Sequence, residues 1–290
     1  MAGLKWDVFV TPGIPVVTRD RPRDVEKTLF QAMASTLIYG EKDAVLVDAF
    51  LTVEQAKALA TWVASKNRNL TTIYVTHGHG DHWFGVGTLL DRFPSSTVVA
   101  TPSTVQVMRG NVAHRAAWEA SFPGQIPADL VVAKELEGHA IDLEGNELRI
   151  LELGHTDTDN STCLYVPSIG LVVAGDAAYN DVHLYLVEST KEKRREWIAA
   201  LDTIESLHPR AVVASPQASG EGRRSANSRR DPAVHPRLRP PRGNQQQRAG
   251  ALRPDAGALS KPSQSRLGAV ELGSGREIVG SSLAIVERGL

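Results

Sequence analysis

Between Ala44 and Ser215 short apolar runs alternate with amphipathic stretches. Ala44–Asp48 (AVLVD) predicts a short buried strand after a Gly-containing turn. Thr52 then stands as a helix N-cap with Gln55 three residues later, a capping box. The helix predicted from there to about Lys66 buries Val53, Ala56, Leu59, Ala60 and Val63. Thr72–Thr76 (TIYVT) predicts a second apolar strand ending directly in His77. Pro94–Ala100 predicts a third, and Pro102–Met108 a helix. Asn111–Phe122 reads as a helical insertion whose His114 and Trp118 could cover a site, followed by a loop at Pro123–Pro127. From Leu130 to Ala174 the period falls to two residues: LVVA, HAIDL, LRILEL, TCLYV and LVVAG are separated by Gly, Asn and Pro turns. Thr190 predicts the cap of a helix reaching Leu207, with Trp197, Ile198, Leu201, Ile204 and Leu207 along one face. Ala211–Ser215 (AVVAS) predicts a last strand. Two β-rich halves, each flanked by helices, imply a layered α/β sandwich.

Composition sharpens this picture at two points. The 290 residues are 42% hydrophobic and 22% charged, which suits a globular protein of one or two domains and excludes a disordered or fibrous chain. Lys+Arg 32 against Asp+Glu 33 gives no overall reason for binding nucleic acid or an acidic membrane. The single Cys163 excludes an internal disulfide and, lying in an apolar strand, reads as a core residue. MAGLKWDVFVTPGIPVV has no uninterrupted apolar h-region, and no run approaches the ~18 residues of a membrane span. The expectation is a cytoplasmic protein acting on a small molecule, with no membrane partner. The second point is an asymmetry: every Trp, Tyr and Phe lies between Trp6 and Trp197, and Pro216–Leu290 has none. That stretch collects Arg223, Arg224, Arg229, Arg230 and further arginines among Pro, Gly, Ser and Gln. Lacking aromatic surface to bury, it cannot offset its ordering entropy. Residues 1–215 therefore read as one folded domain and 216–290 as an Arg/Pro-rich, poorly ordered tail.

The chemistry concentrates in His77-Gly78-His79-Gly80-Asp81-His82, four metal-capable side chains in six residues where a buried strand gives way to a loop. Gly78 and Gly80 permit backbone angles that turn neighbouring ligands toward one point. Imidazole and carboxylate both suit Zn²⁺. A His-rich surface loop is the plain alternative, and this spacing at a strand end argues against it. Asp157 and Asp159 could also touch metal, but Asp in a polar turn is more often structural. Tyr179, Asn180 and His183 could line a substrate pocket. Trp83 and Phe84 read as core, and His208 as a residue at a helix end.

The HxHxDH pattern after a strand resembles the signature of the metallo-β-lactamase superfamily, and further landmarks follow in order over Phe30–Ser215. His155 in LELGHTDTDNS resembles that family's third histidine, Asp176 in LVVAGDAAY its metal-bridging carboxylate, and Asp48 in LVDAF an Asp that supports the metal-binding loop. The resemblance implies a four-layer αββα sandwich with metal at one edge. It implies that His77, His79 and His155 hold one ion, while Asp81, His82 and Asp176 hold a second, with Asp176 shared. The implied cofactor is Zn²⁺, one or two per chain, with iron or manganese as alternatives. The implied reaction is hydrolysis of a small ester, lactone, thioester or amide by a metal-bound hydroxide, with Asp81 as the catalytic group that orients it or passes on its proton. β-Lactam hydrolysis does not follow from the fold. The antibiotic-hydrolysing members often carry Cys or His where Asp176 stands.

One landmark is missing. The superfamily closes its second site with a His after a late strand, and here AVVAS is followed by Pro216, which cannot bind metal. A slip of reading frame accounts for both this loss and the change in composition. Codons CCA CAA GCG TCC GGG for Pro216–Gly220, read one base later, give His-Lys-Arg-Pro-Gly. The same offset across Arg223–Leu238 permits an amphipathic segment containing Tyr and Phe. Three other readings stay open: a catalytically impaired relative, a mononuclear iron oxidoreductase, and a nuclease with a basic arm. The arm lacks aromatic residues for base stacking, which disfavours nucleic acid. The slip is checked in the gene: the Pro216 codon is expected to be CCA, and any other third base excludes His in the next frame.

Overall fold

The computed structural model describes residues 3–18, 28–180 and 182–217. Of the tail expected over 216–290, only Pro216 and Gln217 are described, and they form a short strand against Met33 and Ala32; the rest lies outside the described residues. In chain order the elements begin with β1 (Lys5–Val10), β2 (Ile14–Pro15), β3 (Leu29–Phe30), β4 (Ala32–Tyr39) and β5 (Asp43–Val47). Helix α1 (Val53–Ser65), β6 (Asn69–Tyr74), α2 (Val86–Arg92), β7 (Thr97–Ala100), α3 (Pro102–Val112), α4 (Arg115–Ser121) and β8 (Lys134–Glu135) follow. The second half contains β9 (Ala140–Leu143), β10 (Asn146–Gly154), β11 (Ser161–Val166), β12 (Leu171–Gly175), α5 (Lys191–Ser206), β13 (Ala211–Ala214) and β14 (Pro216–Gln217). No helix among the described residues is long and apolar enough to cross a membrane.

Alternation along the strands sorts side chains into layers. In β5, Ala44 and Leu46 face one apolar cluster with α1, α2 and α3, whereas Val45 and Val47 face another. In β12 and β13, Leu171, Val173 and Val213 join that second cluster, which fills the space between the sheets. Val172, Ala174 and Val212 pack instead with Ala200 and Ile204 of α5. The first sheet runs β1-β4-β5-β6-β7-β8, with β14 also pairing β4, and the second runs β13-β12-β11-β10-β9. The result is a four-layer αββα sandwich. β5, β6 and β7 are mutually parallel, as are β12 and β13, so their C-terminal ends gather at one edge.

Local chemistry explains the boundaries. The capping box is formed: Gln55 N–H donates to Thr52 Oγ1 (3.2 Å), and Thr52 N–H to Gln55 Oε1 (3.2 Å). Thr190 caps α5 by accepting from Lys193 N–H at 3.3 Å. Three expectations need correction. Leu130–Ala133 forms no strand, because Leu130, Val131 and Val132 already pack half-buried on the first apolar cluster without joining a ladder. Ile198 is 42% exposed, and Ala200 takes the inward position, since neighbouring helix residues point about 100° apart. β6 stops at Tyr74, leaving Val75 and Thr76 between strand and motif.

The two sheets are also joined at the edge remote from the motif. Glu144, in the turn between β9 and β10, accepts backbone N–H groups of Glu41, Lys42 and Asp43 at 2.9, 2.7 and 2.8 Å. These donors hold its carboxyl below the usual range. A depressed pKa contributes stability that is present above the unfolded value, about 4.5, and is lost as pH falls through the folded value. Glu144→Gln is therefore expected to lower the thermal midpoint at pH 7, and the gap from wild type should close as melting is repeated down to pH 3.

Candidate metal centre

Asp48 follows β5 with φ of 64°, a backbone state that Asp tolerates better than most residues. Its buried carboxylate accepts the Thr76 N–H (2.9 Å) on Oδ1 and the Thr76 hydroxyl (2.9 Å) on Oδ2. His82 Nδ1 lies 2.8 Å from the same Oδ2. A carboxylate only accepts, so Nδ1 carries the proton and Nε2 of His82 turns inward. Thr76 Oγ1, its hydrogen committed to Asp48, accepts from His77 Nδ1 at 3.1 Å, which likewise leaves His77 Nε2 for the site. His79 is held the other way round. Its Nε2 donates to Glu188 Oε1 (3.1 Å), Thr158 donates to the other Glu188 oxygen (2.7 Å), and His79 Nδ1 faces Asp157 Oδ2 at 2.9 Å.

The second sheet supplies its carboxylates from two register shifts. β10 shifts between Glu152 and Gly154, and Gly154 at φ 72° launches the loop carrying His155 and Asp157. β12 shifts between Val173 and Gly175, and Gly175 at φ 55° launches Asp176. A Cβ on Gly175 would stand 2.8 Å from Thr76 Oγ1, so the glycine lets the two sheets meet there. Gly78 and Gly80, by contrast, are not at positive φ. They are needed for close approach, since a Cβ would run into Val107 at Gly78 and into the Phe84 ring at Gly80. The Gly78 carbonyl is held from two sides, by Asn111 Nδ2 (2.7 Å) and Trp83 Nε1 (3.0 Å).

His77 Nε2 stands 3.4 Å from Asp157 Oδ2, and His82 Nε2 stands 3.0 Å from Asp176 Oδ1. All four atoms are buried and face only one another and His79 Nδ1, without a well-directed hydrogen bond. Unpaired buried polar atoms cost about 1–3 kcal/mol each, and a convergent set of imidazole nitrogens and carboxylate oxygens is what a divalent cation satisfies. The residues fit a metal. Two triads have ligand atoms within 4.8 Å of one another: His77, His79 and Asp157, and His77, His82 and Asp176. His77 belongs to both, yet its Nε2 has one lone pair, so only one ion can claim it.

The charges are strongly biased. Burial works against charging His79 and His82, but facing carboxylates win: Asp157 and Glu188 hold His79 well above the ordinary imidazole pKa, and Asp176, Asp48 and Asp81 do the same for His82. Burial opposes the charge on Asp157 too, yet His77 and His79 hold it well below the carboxylate range. Asp176 goes the other way, burial raising it more than His82 lowers it.

Asp81 is buried with Oδ2 3.7 Å from His82 Nε2, beside the second triad and outside it. His155 is buried but turned to other partners, with Nδ1 2.7 Å from Asp159 and Nε2 2.9 Å from Ser189 Oγ. Asp157, a polar-turn residue by its sequence context, faces the two histidines where the resemblance puts His155. Asp159 is drawn into an ion pair with Lys193 at 2.7 Å, which together with His155 holds its pKa low. Glu188 and Ser189 were not foreseeable, since nothing in LVEST before the Thr190 cap marks them. Tyr179 donates to Asp176 Oδ2 at 3.2 Å, and Asn180 N–H donates to Pro216 O at 3.1 Å. His183 and His208 are exposed, Trp83 and Phe84 are wholly buried, and burial pushes the Cys163 thiol up to about 12, as befits a core residue.

A family model described as the metallo-beta-lactamase superfamily matches residues 33–215. The chain belongs to the metallo-beta-lactamase superfamily. Solved structures from the superfamily share its fold. A metallo-beta-lactamase from Pontibacter korlensis is 16% identical with a TM-score of 0.53, covering 73% of this chain and 91% of its own. The metallo-beta-lactamase FIM-1 from Pseudomonas aeruginosa, in a mono-zinc form, is 14% identical with a TM-score of 0.52, covering 74% of this chain and 84% of its own. At such identities the likeness concerns the superfamily fold alone. No curated protein matches the chain significantly.

Asp48→Asn keeps a residue that tolerates the left-handed backbone but weakens the acceptor fixing His82. Zinc affinity, measured by competition with a chromophoric chelator, is expected to fall about 10- to 100-fold with the fold intact by circular dichroism.

Proposed function

We propose that this protein is a metal-dependent hydrolase, with zinc as the preferred ion, acting on a small ester, lactone, thioester or amide. The observation that carries the reading is the set of four buried ligand atoms, contributed by three separate stretches of chain, that face one another without well-directed hydrogen bonds. His77 Nε2 and His79 Nδ1 would hold the tighter ion with a third donor from the 155–159 loop. Asp157 already faces both histidines, while Asp159 on His155 Nδ1 is the carboxylate–imidazole pairing that readies Nε2 for a cation. His82, Asp176 and Asp81 would hold a second ion more weakly, because His77 serves only once and Pro216 offers no donor. A bound divalent ion supplies a water acidified toward a pKa of ~7 and polarises a carbonyl oxygen.

The chain's own groups do the rest. Asp81 lines the cleft, where it would align an attacking water and carry its proton to the leaving group. Tyr179, donating to Asp176 Oδ2, keeps that carboxylate's other oxygen turned toward His82. Glu188 fixes the ring of His79. The buried floor of Trp83 and Phe84 excludes water from beneath the motif loop.

The test is a panel of acetyl ester, lactone, thioester and amide substrates with the zinc-loaded full chain. At least one is expected to be hydrolysed, with turnover abolished by chelation, restored by zinc and lost in His77→Ala. Turnover indifferent to chelator and to His77→Ala would overturn the reading. Counting bound zinc alongside is expected to show one tight equivalent per chain.

A further inference from the structure

We propose that the cleft beside the metal centre selects uncharged substrates carrying an apolar, ring-sized group and rejects those with an anionic group at the same place. The proposal rests on the hydrolase reading for the bond broken, and on the cleft itself for what is bound. The cleft that contains His79 and Asp81 is lined by two unlike sets of residues. One is apolar, formed by Val16 and Val17 beyond β1, Phe30 of β3, Ala117 and Trp118 of α4, and Phe122. Its backing is an aromatic stack. Phe30 meets Phe122 edge-on at 5.5 Å and 87°, and Trp118 lies against Phe122 at 6.1 Å and 22°. Phe30 and Phe122 are wholly buried whereas Trp118 is half-buried, so its indole is the face this stack presents to the cleft. An incoming ring or branched chain would extend the cluster, burying apolar area on a surface already held rigid by its neighbours.

The other set is acidic: Asp81, Asp157, Asp176 and Glu188, with Tyr185 also in the lining. Among the described residues no Lys or Arg lines the cleft, and His79 and His114 are the groups able to carry positive charge. His79 is already engaged by Asp157 and Glu188, and His114 directs Nδ1 to Asn111 Oδ1 at 3.2 Å, which leaves Nε2 as its one remaining ring nitrogen. Besides His114, the described lining adds only neutral polar groups, those of Thr18, Gln31, Asn111 and Ser121 among them, so a carboxylate or phosphate placed against Trp118 would exchange full hydration for neutral partners, a larger loss than an uncharged group suffers. Cations held by the acidic set would neutralise it without adding a charged group to the apolar set around Trp118.

A matched pair of non-hydrolysable ketones tests binding apart from chemistry: 4-phenylbutan-2-one and its para-carboxylate, titrated calorimetrically into the zinc-loaded full chain. The uncharged ketone is expected to bind at least about tenfold more tightly. Trp118→Ala should remove most of that binding, and Ala117→Lys, a change at an exposed helix position, should shift the preference toward the carboxylate. Equal or tighter binding of the carboxylate to wild type, or binding of neither ketone, would overturn the proposal. The corresponding methyl esters separate the two readings. If the uncharged ketone binds and neither ester is hydrolysed, the hydrolase reading fails while the selectivity stands. If the carboxylate ester is the better substrate, the selectivity fails while the hydrolase reading stands.

Discussion

Thr76 is the point at which the two sheets are locked into one register. Its N–H and hydroxyl both go to Asp48, its carbonyl accepts from Thr162 N–H at 3.1 Å and Thr162 Oγ1 at 2.6 Å, and Gly175 packs directly on its side chain. Every one of these contacts is buried, where an unmade hydrogen bond is expensive and a made one is strong. The histidines follow Thr76 in sequence, while the loop of Asp157 and the turn of Asp176 leave strands β10 and β12, which flank the β11 that carries Thr162. Displacing Thr76 would therefore separate imidazoles from carboxylates, and no local repair within either sheet could bring them back.

That dependence explains the arrangement of charge. The five groups of the two triads, His77, His79, His82, Asp157 and Asp176, lie close together and largely out of water, and they are tolerable because imidazole faces carboxylate. Such a site would take up a cation in exchange for protons, since ligating imidazole must be neutral. It is also asymmetric. His77, His79 and Asp157 form a compact set, whereas the side of His82 and Asp176 borrows its third donor from the first and ends at Pro216, buried beside β4 where the superfamily pattern supplies a histidine.

Much of this was legible in the sequence because it follows from short-range rules. The Thr52–Gln55 capping box, the Thr190 cap and the alternation of LVVAG each depend on neighbours a few residues away, and each takes the predicted form. The HxHxDH spacing puts His77, His79 and His82 in one short loop, where they do converge on the candidate centre. What escaped was set by tertiary contact. LVVA satisfies its hydrophobicity against α2 and its surroundings instead of in a ladder, and β1 and the wholly buried β4 become strands through pairing partners far along the chain. Gly78 and Gly80 were correctly singled out for the wrong reason, since what excludes a side chain there is Val107 and Phe84, not backbone angle. Glu188 reaches His79 from a segment with no periodicity at all, and the trade between His155 and Asp157 turns on which partner each side chain finds across the loop.

The pairing of β14 with β4 sets an order of events during synthesis. Met33 and Ala32 find their partners in Pro216 and Gln217, and Ala34 N–H bonds to Ser215 O, so a strand made early waits for one made roughly 180 residues later. Such long-range closure is slow to find. On the ribosome the first sheet must remain with part of β4 unpaired until Gln217 has cleared the exit tunnel, and a nascent chain halted before Ser215 would expose that backbone to neighbouring polysomes and chaperones.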